Sequence, residues 1–206
     1  MAGAEEDREA AAREHIAGGD LRIAATLLVR SYGPEIYGFL VAHLRDETAA
    51  DDVFSSFAED LWRGLSGFEG RSSLRVWCYA LARNAAARHF AAPYRRKERN
   101  LSLSQVGELS LLVDKVRTET RPYLRTEAKS KLAELRERLS PDERALLVLR
   151  VDRGLDWVDV ARILLPEHDV SPEDDVKTRA ARLRKRFQQL KVKVRRMAKE
   201  AGLVEP

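Results

Sequence analysis

The sequence predicts an all-α protein made of two small helical domains that a flexible linker joins. Apolar residues recur at steps of three and four along nearly the whole chain, and no segment shows the sustained alternation typical of a β-strand. The helical spacing weakens between residues 98 and 126, where small polar residues, Gly107 and Pro122 occur. We therefore divide the 206 residues into an acidic N-terminal segment (1–20), a first domain (21–97), a linker with a short helix near Leu109 to Thr118 (98–130) and a second domain (131–206).

Breaks and caps predict four helices in the first domain. The Gly33-Pro34 pair interrupts the apolar pattern, because proline removes a backbone donor. Asp46 or Thr48 can cap the third helix and Ser72 or Ser73 the fourth, since short polar side chains accept hydrogen bonds from the free N–H groups of a first turn. The predicted helices are Leu21 to Ser31, Glu35 to Leu44, Asp46 or Thr48 to about Leu65, and Leu74 to about Ala92, where Pro93 stops the last one.

The second domain contains a strong helix-start signal. The run Ser140-Pro141-Asp142-Glu143 supplies a cap, a proline at the first position and acids in the first turn. Gly154 ends this helix, Trp157 to Leu165 forms the next, and an acidic loop leads to the cationic stretch Val176 to Lys199. Two short helices followed by a cationic helix are what a helix-turn-helix presents to DNA, so we predict that motif here.

The cationic stretch is the most informative part of the chain. Residues 176–199 contain eleven Lys or Arg residues and no acid, laid over an apolar stripe at helical spacing. A helix with this pattern can enter the major groove, but a solvated amphipathic tail has the same pattern. The net charge of +4 hides this concentration, because an acidic first third of the chain offsets it.

A second basic segment covers residues 70–97, with seven Lys or Arg residues, no acid and four interleaved aromatic residues. Cations neutralise phosphates, and aromatic faces stack on unpaired bases. Arg75, Tyr79 and Arg83 are four residues apart and therefore share one helical face. Trp77 and Phe90 can instead belong to the core, which for each residue alone is the favoured interpretation. Asn84 can contact a base edge, cap a helix or form a core hydrogen bond.

The helix before this segment is acidic and carries Asp51, Asp52, Glu59 and Asp60. These carboxylates would repel nucleic acid, so we expect their surface to face a protein partner or solvent.

Composition argues against an enzyme and against a membrane protein. The longest apolar run, Ile23 to Val29, is too short to span a bilayer, and the acidic N-terminus lacks the pattern of a signal peptide. A single cysteine, Cys78, excludes an internal disulfide and fits a cytoplasmic protein. The four histidines are scattered without metal-ligand spacing, and no nucleotide-binding glycine loop is present, so we predict no catalytic residue, metal or cofactor.

The order of these segments resembles the extracytoplasmic-function (ECF) class of bacterial sigma factors, over roughly residues 21–97 and 131–197. The segment Ala50-Asp51-Asp52-Val53 to Leu61-Trp62 is similar to the family's polymerase-docking helix. Phe68-Glu69-Gly70 with Leu74 to Asn84 resembles its promoter-melting and minus-10 segment. Leu139 to Arg144, Trp157 to Ala161 and Val176 to Arg179 resemble its minus-35-reading domain.

The resemblance implies a role for each predicted site residue and three partners. Core RNA polymerase would be contacted by Asp51, Asp52, Ser55 and Ser56, although the family usually has Gln-Glu where the two serines stand. The minus-10 element would be contacted by Arg75, Tyr79, Arg83, Asn84 and Arg88. The minus-35 element would be read by Lys177, Thr178, Arg179 and Arg182, with Arg184 and Lys185 on phosphates. The implied partners are core RNA polymerase, promoter DNA and an anti-sigma factor.

Three other functions stay open at this point. A stand-alone transcriptional regulator would have the same second domain, but it has no need of the acidic helix. An adaptor protein that binds an acidic partner through its basic helices would bind DNA weakly and without sequence preference. An enzyme is the least favoured of the three.

Overall fold

The computed structural model describes residues 2–91, 107–127, 131–165 and 174–203, and no strand occurs in these ranges. The prediction of an all-α protein is therefore confirmed. The chain forms two compact units, residues 1–121 and 122–206. The helices are α1 (Ala2–Ala17), α2 (Leu21–Leu44), α3 (Glu47–Gly64), α4 (Leu74–Ala91), α5 (Gly107–Glu127), α6 (Lys131–Glu137), α7 (Pro141–Leu147), α8 (Trp157–Leu164) and α9 (Val176–Glu200).

Helix α2 runs through the Gly33-Pro34 pair, so the predicted break there was wrong. A Cβ atom on Gly33 would lie 3.2 Å from a methyl group of Val116 and 3.5 Å from the Phe54 ring. The glycine therefore allows two other helices to approach closely. Burial of the residues around Pro34 compensates for the backbone hydrogen bond that proline cannot make.

The core of the first unit lies where α2, α3 and α4 pack on one another. Its largest members are fully buried aromatic side chains: Tyr37, Phe39, Phe54, Phe57 and Tyr79. The Tyr37 and Phe54 rings, like the Phe39 and Tyr79 rings, meet edge to face with centroids 5.5 Å apart. Helix α1 packs on α2, so the acidic N-terminal segment is largely a helix of this unit.

Helix α5 occupies most of the range predicted as the linker and is longer than the predicted short helix. Leu109, Val113 and Val116 are buried at steps of four and three, so one face of α5 is apolar. The first part of this range, residues 98–106, lies outside the described residues.

The second unit confirms the predicted start signal. The Ser140 hydroxyl accepts a hydrogen bond from the Glu143 N–H, and the Glu143 carboxylate accepts one from the Ser140 N–H, which completes a capping box. Helix α7 passes into a π-helical turn (Val148–Asp152), and Gly154 has a φ of +67°. Helices α8 and α9 then pack together, with the Trp157 and Phe187 rings 5.4 Å apart.

Within the described ranges, no helix has the length and apolar character that crossing a membrane requires.

Candidate nucleic-acid and protein interfaces

The solvent face of α9 carries the largest set of exposed cations. Asp175 caps this helix by accepting a hydrogen bond from the Thr178 N–H at 2.6 Å, and this bond lowers the pKa of the Asp175 carboxyl. Among the residues predicted to contact the minus-35 element, the exposed ones are Lys177, Thr178, Arg182, Arg184 and Lys185. Lys177, Arg184 and Lys185 form no ion pair with any described residue, and Arg182 pairs with Asp174. A helix face of this kind suits contact with a polyanion.

Arg179 is the exception on this helix. Its side chain is 2 % exposed, and Nη1 donates a hydrogen bond of 2.6 Å to the Leu165 carbonyl at the end of α8. A guanidinium held inside the unit cannot meet a base edge, so the prediction that Arg179 reads bases is corrected: here it joins α8 to α9. The sequence could not show this, because every cation of the stretch looks alike in a charge pattern.

The cations of α4 lie in a different environment. Arg75 donates two hydrogen bonds of 2.8 Å to the Glu35 carboxylate, and both side chains are about four-fifths buried. Tyr79 is fully buried against Phe39. Both residues were predicted to contact DNA. The structure instead places Tyr79 in the core and joins Arg75 to α2, because this face of α4 packs inside the unit.

The remaining predicted minus-10 residues are partly exposed. Arg83 and Asn84 are half-buried neighbours, with Arg83 Nη1 3.5 Å from Asn84 Oδ1. Arg88 pairs with Asp60 of α3 but keeps 41 % of its side chain exposed. The structure therefore brings Arg83, Asn84 and Arg88 to the accessible side of the same helix.

Trp77 and Phe90, the two aromatic residues for which a core position was favoured, differ in their burial. Trp77 is half-buried with its ring 5.1 Å from that of Phe68, and a Cβ on Gly64 would lie 3.1 Å from it, which supports the packing interpretation. Phe90 is 57 % exposed, contrary to that interpretation, because it lies at the end of α4. Its ring contacts those of His43 and His89.

Helix α5 covers part of the acidic face of α3. Arg121 pairs with the Asp51 carboxylate, which also accepts a hydrogen bond of 2.8 Å from the Tyr37 hydroxyl. Arg117 donates to the Asp51 carbonyl at 2.7 Å and to the Ser55 hydroxyl. Burial raises the pKa of Tyr37, and the Asp51 charge adds to that rise against the opposing effect of Arg121.

Sequence reasoning missed Arg117 and Arg121 as functional residues. Their spacing of four along a helix was a usable signal, since it places both on one face. What the sequence did not reveal was their target, because Asp51 lies 66 and 70 positions away.

Asp52 and Ser56 are the other two predicted polymerase contacts. They lie on the side of α3 adjacent to that of Asp51 and Ser55. Both are half-buried, and the Ser56 hydroxyl donates to the Asp52 carbonyl at 3.1 Å. The Asp52 carboxylate forms no ion pair within the described ranges, unlike that of Asp51.

The lone cysteine is unsuited to nucleophilic chemistry. Cys78 is fully buried, and this burial, together with the charges of Glu35 and Glu9, raises the pKa of its thiol. No group of three or more His, Cys, Asp or Glu side chains is arranged to hold a metal ion in the described part of the chain.

Comparison with known proteins gives one family and several relatives. Residues 28–97 match the family model "Sigma-70 region 2". The chain is 29 % identical over 154 residues to "RNA polymerase sigma-H factor" of Pseudomonas aeruginosa. The aligned region covers 73 % of this chain and 79 % of the relative. It is 27 % identical over 139 residues to "RNA polymerase sigma factor YlaC" of Bacillus subtilis, covering 66 % and 77 %.

A further relative is "ECF RNA polymerase sigma factor SigX" of Bacillus subtilis, 25 % identical over 144 residues, covering 67 % of this chain and 71 % of that one. No solved structure matches significantly. The family match covers most of α2 and all of α3 and α4, and the last two helices carry the acidic face and the first basic segment. These matches support membership of the ECF class of the sigma-70 family and the function of an RNA polymerase sigma factor in transcription initiation.

Proposed function

We propose that this sigma factor divides its work among three surfaces: α3 docks on core RNA polymerase, the exposed side of α4 and the loop before it open the promoter, and α9 reads the upstream promoter element. The observation that supports this division best is the row of exposed cations on α9, of which Lys177, Arg184 and Lys185 form no ion pair with a described residue. The cytoplasm, where core polymerase works, is the compartment that this function requires.

Lys177, Thr178 and Arg182 are the proposed base-reading residues. They are exposed in the first two turns of α9, and the N-terminal end of a recognition helix is the part that meets base edges in a helix-turn-helix. Arg184 and Lys185 follow on the exposed surface and are proposed to contact phosphates, which contributes affinity without sequence preference.

Promoter opening is assigned to Arg83, Asn84 and Arg88, with the exposed ring of Phe90 as an additional stacking surface. Unstacking a base costs a few kcal/mol, which contacts to the extruded base and its phosphates must offset. Arg75 and Tyr79 support this surface from inside the unit and do not touch DNA.

For α3 to dock on polymerase, its contacts with α5 must be replaced by contacts with polymerase. In the free protein Arg117 donates a hydrogen bond to Ser55, and Arg121 pairs with Asp51. Polymerase can therefore contact Asp51 and Ser55 only after α5 has moved away. Asp52 and Ser56 lie beside this contact and are the proposed first point of attachment. The same face is the proposed target of an anti-sigma factor, the partner that the ECF class implies.

Co-elution of the full chain with core RNA polymerase on size exclusion tests the docking assignment. We expect wild type to co-elute and Asp52→Lys to do so much less, because charge reversal on the contact face introduces repulsion. Glu14→Lys is the matched control, since Glu14 is an exposed acid on α1 of the same unit. Equal co-elution of the two variants would contradict the assignment of α3.

A charge reversal on α9 separates docking from DNA reading. Arg184→Glu should leave co-elution with polymerase intact and reduce binding to promoter DNA. Loss of co-elution with this variant would mean that α9, and not α3, carries the main polymerase contact.

A further inference from the structure

Helix α1 reaches the loop that precedes α4 through two charged side chains. Glu9 and Arg13 are one helical turn apart, with Arg13 Nη2 and Nε 2.8 and 3.2 Å from Glu9 Oε1. The same carboxylate oxygen accepts a hydrogen bond of 3.0 Å from the Leu74 N–H, the first residue of α4. A side chain 65 positions away therefore satisfies a free donor at the start of this helix.

Arg13 extends the contact along the loop. Its Nη2 donates a hydrogen bond of 3.2 Å to the Ser72 carbonyl, and its guanidinium lies 5.3 Å from the centre of the Phe68 ring. A Cβ atom on Gly70 would lie 3.6 Å from Arg13 Nη1, and Gly70 has a φ of +72°, which favours glycine. Arg13 thus contacts both ends of the loop, at the Phe68 ring and at the Ser72 carbonyl.

The tip of the loop points to solvent. Arg71 pairs with Glu69 at 2.5 Å, and their side chains are 75 % and 62 % exposed. The base of the loop is therefore held by contacts with α1, whereas its tip exposes the Arg71 cation to solvent. Ser73 adds a local cap, with its hydroxyl accepting from the Val76 N–H at 3.2 Å, so α4 has two caps from different parts of the chain.

We propose that Glu9 and Arg13 are positioning residues for promoter opening: they fix the loop of residues 68–73 and the first turn of α4 so that the loop tip and Asn84 meet the DNA together. This inference rests on the proposed role of that segment. Neither residue touches DNA; both act through the loop. A mobile loop would have to be ordered during opening, and that entropic cost would slow the step.

The test uses the full chain with core RNA polymerase and compares a duplex promoter with the same promoter carrying a premelted bubble. Opening is followed by the permanganate reactivity of unpaired thymines. We expect Glu9→Gln and Arg13→Lys to slow opening of the duplex about tenfold, the effect of losing roughly one cap interaction, and to leave the premelted template unaffected. Glu14→Gln, an exposed site on α1, is the control and should open the duplex normally.

Three results would overturn the inference. An equal defect on the duplex and the premelted template would show that Glu9 and Arg13 do not act in opening. A lowered unfolding midpoint with loss of polymerase binding would reduce them to a structural role. The proposed function is tested separately by Asn84→Ala: if this variant opens poorly while Glu9→Gln opens normally, the positioning role fails and the function of α4 stands.

Discussion

The two basic segments look alike in the sequence and differ in the structure. Both lack acids, and both place cations on helices with apolar stripes. On α4, Arg75 and Arg88 pair with acids of α2 and α3. On α9, Arg184 and Lys185 are exposed and form no ion pair with described residues.

The position of each helix in its unit explains the difference. Helix α4 packs against both α2 and α3, whereas helix α9 contacts α8 and, less extensively, α7 and α6, and the side that carries Arg184 and Lys185 is exposed. A central helix acquires partners for its charges from both neighbours. A run of cations therefore predicts a nucleic-acid surface only where the helix has a free side, and a single sequence does not contain that information directly.

The largest expected effect comes from Arg179, because this cation of α9 is buried and, like Arg75 of α4, hydrogen-bonded inside its unit. Arg179→Ala should lower the free energy of unfolding of the second unit by about 2–3 kcal/mol, because the partly buried Leu165 carbonyl loses a charged donor. Hydrogen exchange of α8 and α9 in the full chain would measure this. Arg182→Ala, on the exposed side, should cost much less. Unchanged stability with relaxed promoter preference would instead make Arg179 a base reader and restore the original prediction.

Local signals in the sequence were sufficient for much of the fold. The sequence predicts Asp46 or Thr48 as one cap and Ser140 as another, and the structure shows Asp46 and Ser140 in these roles, each with partners three or fewer positions away. The interruption at the Gly33-Pro34 pair was wrong because α2 is stabilised by helices that are distant in sequence. Gly33 is needed for close approach to Val116, and propensity rules do not include such contacts.

The site was harder to predict than the fold, because its decisive contacts are long-range. The exposed cations of α9 were found from charge and spacing alone. The pairing of Arg75 with Glu35, of Arg121 with Asp51 and of Glu9 with the Leu74 N–H joins residues 40 to 70 positions apart. Such partners become visible only once the helices are placed side by side.

The second expected effect concerns an exposed cation of α9. Arg184→Ala should weaken binding to promoter and random DNA equally and reduce the slope of log affinity against log salt by about 0.9, the value for one lost phosphate contact. Gln188→Ala, one turn further on the same exposed surface, is the uncharged control and should leave the slope unchanged. Titrations at several salt concentrations measure both. A loss confined to the promoter would move Arg184 to the base-reading group.

Arg75 provides the corresponding experiment on α4. A double-mutant cycle with Arg75→Ala and Glu35→Ala should give a coupling energy of about 1 kcal/mol, as expected for a partly solvated ion pair with two hydrogen bonds. Denaturant unfolding of the full chain measures this energy. The salt dependence of DNA binding should not change in any of the three variants. A reduced slope with Arg75→Ala would show that Arg75 leaves Glu35 to contact phosphate, and the contrast between α4 and α9 would then disappear.

The smallest effect tests a cation of α9 that has an acidic partner on another helix. Lys193 donates hydrogen bonds of 2.9 and 2.7 Å to the two Glu143 oxygens. Burial alone would raise the pKa of Glu143, but the hydrogen bonds from Lys193 and from the Ser140 N–H outweigh it and lower that pKa below its usual 4.5. Since the pKa of Glu143 is lowered in the folded state, the stabilisation is present above the unfolded-state pKa and is lost as the pH falls through the folded-state pKa.

Glu143→Gln should therefore lower the unfolding midpoint of the second unit at neutral pH, and the difference from wild type should shrink below about pH 4.5. A difference that stays constant down to about pH 3 would mean that the Glu143 charge adds nothing beyond the cap geometry, and that Lys193 is as available to a polyanion as Arg184.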